Sequence, residues 1–378
     1  MKKWRDTLLA VLFIIGISLP GVLHGVTSLT RSTSDRLGAE NRLAAPPPQW
    51  TAGGLRAYTE GLNQWMSDHF GLRASLIDLY GSLQDDLGLT FNQEVIEGQD
   101  GWLFLNHGGM LEDYQGRAPH DASTLASWVE GLDRLSALSA AKDASFLVMI
   151  APNKQSIYGA DYFPPFLQEG AGSRRVDHLL AALETEGIPA IYPAEDLRSA
   201  RGQHQAYFRT DTHWTGWGAY TAYRAAMSAM QKTGFDLAIL PEDRLAMRLE
   251  RDKLGDLVAL LGHGRYTEDR PIWSVMDPGP VRTSKVDRPN SALPIPTRIM
   301  VRDPGGPTLL IIGDSFSPFM AEYFAQSFGT VVLFRHEAGV VDLSELEEFQ
   351  PDVVLFEVVE RMLVNRAAMT SPDGPQTD

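Results

Sequence analysis

The chain has no cysteine at any of its 378 positions, which removes a thiol nucleophile, thiolate zinc sites and disulfides from consideration. It also lacks a positive balance: 33 Lys and Arg stand against 48 Asp and Glu, for a formal net charge of −15. No basic run interleaved with aromatics offsets that charge, which argues against a nucleic-acid partner. A strongly polyanionic substrate would need a local basic groove acting against the global field. There is no internal repeat and no compositional sign of disorder. Apolar residues make up 44% of the chain, enough to build one large domain or two small ones.

One hydrophobic run stands apart. Lys2, Lys3 and Arg5 precede an apolar stretch from Leu8 to Leu23, and no charged residue follows until Arg31. That length suits a signal-peptide core or a short spanning helix. Pro20-Gly21 could open a cleavage region, yet no Ala-x-Ala-like site follows between Leu23 and Ser28. The expectation is an uncleaved anchor over residues 1–27. Because the basic residues come first, the amino terminus should stay in the cytoplasm and the remainder be exported. Residues 28–50, with Ala45-Pro-Pro-Pro48, read as a linker, and residues 51–378 as the exported domain.

Within that domain, Leu55, Tyr58, Leu62, Trp65 and Met66 recur at helical spacing, as do Leu72, Leu76, Leu79, Leu83 and Leu87. Val95 to Leu105 reads as a hairpin turning at Gly98–Gly101. From Asp121 helices and strands alternate. Leu125, Trp128, Leu132 and Leu135 mark a helix, Ser145–Ile150 a buried strand, Val176 to Leu183 a helix, and Ile188–Tyr192 a strand. A helix with Trp217, Tyr220 and Met227 follows. Residues 234–298 are less regular and read as an insertion with a short helix and hairpins. Strands at 308–312, 330–335 and 352–356 complete a parallel sheet flanked by helices. The tail from Ala367 reads as polar and loose.

Thr308 to Ile312 run straight into Gly313-Asp314-Ser315, and Phe319, Met320, Tyr323, Phe324 and Phe328 then recur at helical spacing. Strand, sharp turn and helix place Ser315 where unpaired N–H groups favour a developing anion. The same tripeptide would also serve as a plain helix start. Asp211-Thr-His213 adds the base such a serine needs. Two residues apart on an extended segment, a carboxylate and an imidazole share one side. Among nine histidines only His213 has an acidic residue two positions before it. The candidate triad is Ser315, His213 and Asp211. No third ligand at a recognisable spacing joins Asp211 and His213, so no metal is expected, nor is any cofactor.

Ligands of open parallel sheets bind beyond the carboxyl ends of the strands. Asn153, Lys154, Arg335 and Glu357 fall there together with Ser315. Asn153, Lys154 and Arg335 are candidates for oxyanion or substrate contacts, although strand ends also collect polar residues for structural reasons. Tyr323, two helical turns beyond Ser315, could face either the site or the core.

Gly-Asp-Ser-aromatic paired with Asp-x-His resembles the SGNH/GDSL hydrolase superfamily with its motif order reversed. That permuted order resembles the alginate O-acetyltransferase family, in its AlgJ type rather than the AlgX type, which carries a carbohydrate-binding domain. The motifs that carry the likeness are Asp68–Arg73, Gly98–Phe104, Pro152-Asn-Lys154, Asp211–Trp214, Gly255–Leu257, Gly313–Phe316 and Glu360-Arg361. The resemblance implies an SGNH-like α/β domain in the periplasm, held to the inner membrane by a single-pass anchor. Such a domain transfers acetyl groups to hydroxyls of alginate or another exported polysaccharide. It implies Ser315 as acyl-accepting nucleophile, His213 as base and Asp211 as its orienting carboxylate. It also implies a separate polytopic membrane acyltransferase as the source of the acyl group. Two other readings stay open: a polysaccharide O-acetyl esterase, and a non-catalytic polysaccharide-binding subunit of a secretion complex.

Overall fold

Three largely apolar runs, at 145–151, 308–313 and 353–359, lie side by side at the centre of the structure, a computed structural model. It describes residues 47–48, 58–59, 61–63, 65, 94–118, 121–235, 237–261, 266–288, 295–346 and 348–370. The anchor at 1–27, most of the linker, the helical stripes at 55–66 and 72–87, and the Asp68–Arg73 motif lie largely or wholly outside them. Among the described residues no helix is long and apolar enough to cross a membrane.

The chain divides into two compact units, residues 1–95 with 254–268, and residues 96–253 with 269–378. The described part of the first contains helix α7 (Asp256–Leu261). Apart from α7, Val95 and Glu268, the elements described below belong to the second.

In chain order the strands are β1 (Val95–Glu97), β2 (Leu103–Leu105), β3 (Ser145–Ala151), β4 (Ala190–Ile191), β5 (Leu245–Lys253) and β6 (Glu268–Val275). They continue with β7 (Arg282–Val286), β8 (Thr297–Val301), β9 (Thr308–Gly313), β10 (Thr330–Arg335), β11 (Val340–Asp342), β12 (Val353–Val359) and β13 (Ala368–Thr370). The helices are α1 (Met110–Tyr114), α2 (Ala122–Ala141), α3 (Lys154–Tyr162), α4 (Arg175–Thr185), α5 (Ala194–Ala200), α6 (Gly216–Lys232) and, after α7, α8 (Ser317–Ser327).

Among the described residues seven strands form the main sheet, in the order β4-β3-β12-β9-β10-β8-β7. From β4 to β10 all neighbours are parallel, with Val353 opposite both Ser145 and Leu309, and Arg335 opposite Gly313. Strands β8 and β7 then join antiparallel. The sheet is therefore mixed, which corrects the expectation of a parallel one. Part of the supposed insertion is in fact the sheet's edge.

The central strands are largely apolar because both of their faces are covered, with the buried Glu357 of β12 as the charged-type exception. Alternate side chains enter two cores. Phe146, Val148, Ile150, Leu310, Ile312, Val354 and Phe356 meet Trp128, Leu132 and Leu135 of α2 and Val176, Leu179 and Leu183 of α4. Leu147, Met149, Leu309, Ile311, Leu333 and Leu355 meet Trp217, Tyr220 and Tyr223 of α6 and Met320, Tyr323 and Phe324 of α8. Helix α2 starts on Asp121, whose side chain accepts from the Thr124 N–H at 2.9 Å. The tail is ordered through Thr370, since β13 pairs in parallel with β11; residues beyond it are not described.

This layering carries Asn153, Ser315, His336 and Glu360 to the carboxyl ends of β3, β9, β10 and β12.

Candidate active site

Between β4 and α6 the chain doubles back at residues 207–214. Tyr207 and Trp214 form an antiparallel bridge, and the Phe208 N–H donates to the His213 carbonyl at 3.1 Å. The loop sits directly on the start of α6, where Thr215 caps by accepting from the Gly218 N–H at 3.3 Å. Position 218 has no room for a side chain, because a Cβ there would lie 2.1 Å from the Ala206 carbonyl oxygen. Glycine lets helix and loop base touch.

At the loop's tip the Asp211 carboxylate accepts twice from His213 through Oδ1, from Nδ1 at 2.8 Å and from the backbone N–H at 3.1 Å. Its Oδ2 accepts from Arg270 on β6 at 2.8 Å, and that guanidinium lies 4.8 Å from the centre of the Phe208 ring. Burial alone would push the Asp211 carboxyl above the usual range. The His213 hydrogen bond and charge, with the Arg270 charge, overcome burial and hold the carboxyl well below the usual range. An ionised carboxylate can only accept, so Nδ1 of His213 carries the proton and Nε2 of the neutral ring is the basic nitrogen.

The Gly313-Asp314-Ser315 turn is built by different means. The buried Asp314 accepts from the Phe316 N–H at 2.9 Å through Oδ1 and from the Val359 N–H at 2.7 Å through Oδ2. Its own N–H donates to Glu357 Oε2 at 3.1 Å, and its carbonyl accepts from the Ser317 hydroxyl at 2.8 Å. Ser315, half-buried, stands between β9 and α8. Residues adjacent to the serine and to the histidine join the two segments. The Trp214 indole N–H donates to the Phe316 carbonyl at 3.2 Å. The His213 ring packs 5.0 Å from the Phe316 ring and 5.6 Å from that of Phe319, centre to centre.

The remaining expected residues fall into separate roles. Asn153 is buried; its N–H donates to Glu360 Oε2 at 2.8 Å and its Oδ1 accepts from the Arg361 N–H at 3.2 Å. That second bond leaves the Nδ2 end of the amide as its donor side. Lys154 directs its ammonium to the carbonyls of Phe208, Arg209 and Asp211, at 3.0, 3.1 and 2.7 Å. Arg335 ends β10 opposite Gly313, and burial holds its guanidinium below the usual range against the charges of Asp314 and Glu357. Tyr323 turns away into the core, where its hydroxyl donates to the Gly216 carbonyl at 2.9 Å.

Other participants carry no sequence signal of a role. Arg270 lies in the irregular stretch, 59 positions from Asp211. Glu360 was visible only as a motif; besides Asn153, its Oε2 accepts from the Ser156 hydroxyl at 2.8 Å and the Tyr192 hydroxyl at 2.9 Å. The Arg361 guanidinium lies over the Phe316 ring at 5.1 Å.

A mixed α/β sheet of this kind, with the His213 segment packed through Trp214 and Phe316 against the turn at the end of β9, is the frame of an SGNH-hydrolase-like domain. Residues 95–350 match the family described as the SGNH hydrolase-like domain of acetyltransferase AlgX, and the chain belongs to that family. Among curated protein sequences none matches it. Among solved structures it is similar to Bacillus cereus PatB1, at 14% identity and a TM-score of 0.53, covering 71% of this chain and 96% of that one. It is similar also to a DHHW family protein from Eubacterium siraeum DSM 15702, at 14% identity and a TM-score of 0.50, covering 73% and 99%. The O-acetyltransferase domain of Pseudomonas putida AlgJ aligns at 18% identity and a TM-score of 0.43, covering 72% and 93%.

Proposed function

We propose that the protein is a periplasmic O-acetyltransferase that moves acetyl groups onto hydroxyls of an exported polysaccharide through a serine-bound acyl intermediate. Membership of the AlgX acetyltransferase family supports the reaction class. The observation that carries the mechanism is the joining of the two motif segments: His213, aligned by Asp211, packs on the ring that directly follows Ser315.

Ser315 Oγ attacks the acetyl carbonyl of the donor while His213 Nε2 takes its proton. The Ser315 N–H and Asn153 Nδ2 stabilise the oxyanion. On collapse the donor's leaving group departs with the proton from His213, leaving acetyl-Ser315. A sugar hydroxyl then gives its proton to Nε2 and attacks the acyl carbon, and Ser315 regains a proton as the sugar ester is released. The acetyl donor is delivered by a separate polytopic membrane acyltransferase, and the segment at 1–27 anchors the chain in the inner membrane.

The test uses the full-length chain with 4-nitrophenyl acetate, with and without candidate oligosaccharides, following both nitrophenol release and acetyl mass added to sugar. Acetylated sugar that disappears in Ser315→Ala is the expected result. Free acetate alone across a panel of acceptors would replace the transferase with an esterase. Retention on a polymer column with no ester cleavage would replace it with a binding subunit.

A further inference from the structure

We infer that Lys154 is the positioning residue of the reaction, its ammonium fixing the backbone of the histidine loop so that the Asp211–His213 pair presents Nε2 to Ser315. The inference rests on the proposed triad and adds to it the group that sets its geometry.

Lys154 opens α3 immediately after the carboxyl end of β3 and is buried, 3% exposed. An ammonium has three N–H donors on one atom. Here the carbonyls of Phe208, Arg209 and Asp211 converge on that atom at 2.7–3.1 Å. These carbonyls lie on both sides of Thr210, so a single cation sets the curvature of the loop up to the residue whose side chain orients His213. The ammonium also lies 5.8 Å from the Trp102 ring centre and 5.4 Å from that of Phe104. Strand β2 reinforces the same grip, with the Leu103 N–H donating to the Arg209 carbonyl at 3.0 Å. Three carbonyl dipoles pointing at one place repel each other unless a cation stands there. Without it the loop has reason to open, and the position of Nε2 changes with it.

The absence of cysteine makes the test clean. Full-length Lys154→Cys is unfolded, alkylated with 2-bromoethylamine to rebuild a primary ammonium, or with 1-bromopropane to give a neutral tail of the same length, and refolded. Wild type passes through the same cycle. The readouts are kcat and KM for 4-nitrophenyl acetate, and the downfield proton resonance of the His213 Nδ1–H. The aminoethyl form should match wild type within about threefold and keep the resonance. The propyl form should lose about a hundredfold in kcat, the scale of a small misplacement, with KM nearly unchanged and the resonance shifted or lost. Equal activity of the two alkylated forms would overturn the inference. Should the propyl form fail to refold, Lys154→Arg decides. It keeps the charge, but its planar fork cannot bring three donors to one point, so the folded variant should show reduced kcat at unchanged KM. Wild-type kcat there would overturn the inference. Ser315→Ala runs in parallel: its retaining turnover would sink the triad, whereas its loss beside an unaffected propyl form would sink only the role of Lys154.

Discussion

The loop that carries Asp211 and His213 is gripped by cations, Lys154 on its carbonyls and Arg270 on the Asp211 carboxylate. The turn that carries Ser315 is gripped by carboxyls. Asp314 takes the N–H groups of Phe316 and Val359, and Glu357 takes that of Asp314. The difference follows from backbone direction. A returning loop points carbonyls inward and needs donors, whereas a strand running into a helix amino terminus points N–H groups inward and needs acceptors. The two grips also respond oppositely to pH. Asp211 has a depressed folded value, so its contribution to stability is full above its ordinary 3.8 and is lost as pH falls towards the folded value. Glu357 behaves in the reverse way: burial first, then the Asp314 charge, raise its carboxyl well above the ordinary 4.5. Its contribution is full below 4.5 and is lost as pH rises towards the folded value.

The largest effect should come from breaking the histidine side. Asp211→Asn replaces the acceptor-only carboxylate that fixes the Nδ1–H tautomer with an amide that can also donate to Nδ1, and it removes half of an ion pair. Turnover of the acetyl ester should fall by on the order of 10⁴-fold while the fold persists. A loss smaller than tenfold in a variant with an intact circular dichroism spectrum would show that the pair is structural. Breaking the serine side should register in stability first. A Cβ at position 313 would lie 2.4 Å from the Ser317 Cβ and 3.0 Å from Glu357 Oε2. Gly313→Ala should therefore cost about 3 kcal/mol through overpacking, read as a lowered urea midpoint. An unchanged midpoint would mean that the turn relaxes freely and that its carboxyls do not define it.

How much of this was legible in the sequence follows the same division. Strands β3, β9, β10 and β12 announce themselves because burial on both faces demands nearly continuous apolar runs. Strand β7 does not, since Arg282–Val286 is an exposed edge whose Arg and Lys deter further pairing. Its polarity is what made the edge look like an insertion. Asp211, His213 and Ser315 stand out because their chemistry compresses them into short motifs. Arg270 and the aim of Lys154 do not, because both depend on groups more than fifty residues away. For Tyr323 helical periodicity allowed two faces, and the structure places it in the core against Tyr220 and Tyr223.

The pH contrast can be sharpened with a smaller change. Glu357→Gln keeps an acceptor for the Asp314 N–H and removes the group that resists ionisation. Wild type should lose stability relative to the variant as pH rises above 4.5, by about 1.4 kcal/mol for each unit of upward shift titrated. Melting temperatures of both proteins from pH 4 to 8 give the result directly. Curves that run parallel throughout would locate the alkaline sensitivity elsewhere and leave Asp314 as the turn's working acceptor.

The smallest effect concerns whether the two grips share a strut. The Tyr323 hydroxyl, on the helix that follows Ser315, donates to the carbonyl of Gly216, the first residue of the helix that follows His213. Burial raises its ionisation well above the usual range, so the hydroxyl stays protonated as that donor. Tyr323→Phe deletes the bond and keeps the ring against Tyr220 and Tyr223. The carbonyl it leaves lies in the first turn of α6, where the ladder of that helix can still use it. A loss of about 1 kcal/mol in stability is expected, with kcat within about twofold of wild type. A fall in kcat much larger than the fall in stability would mean that the two halves of the site are aligned through this bond as well as through Trp214 and Phe316.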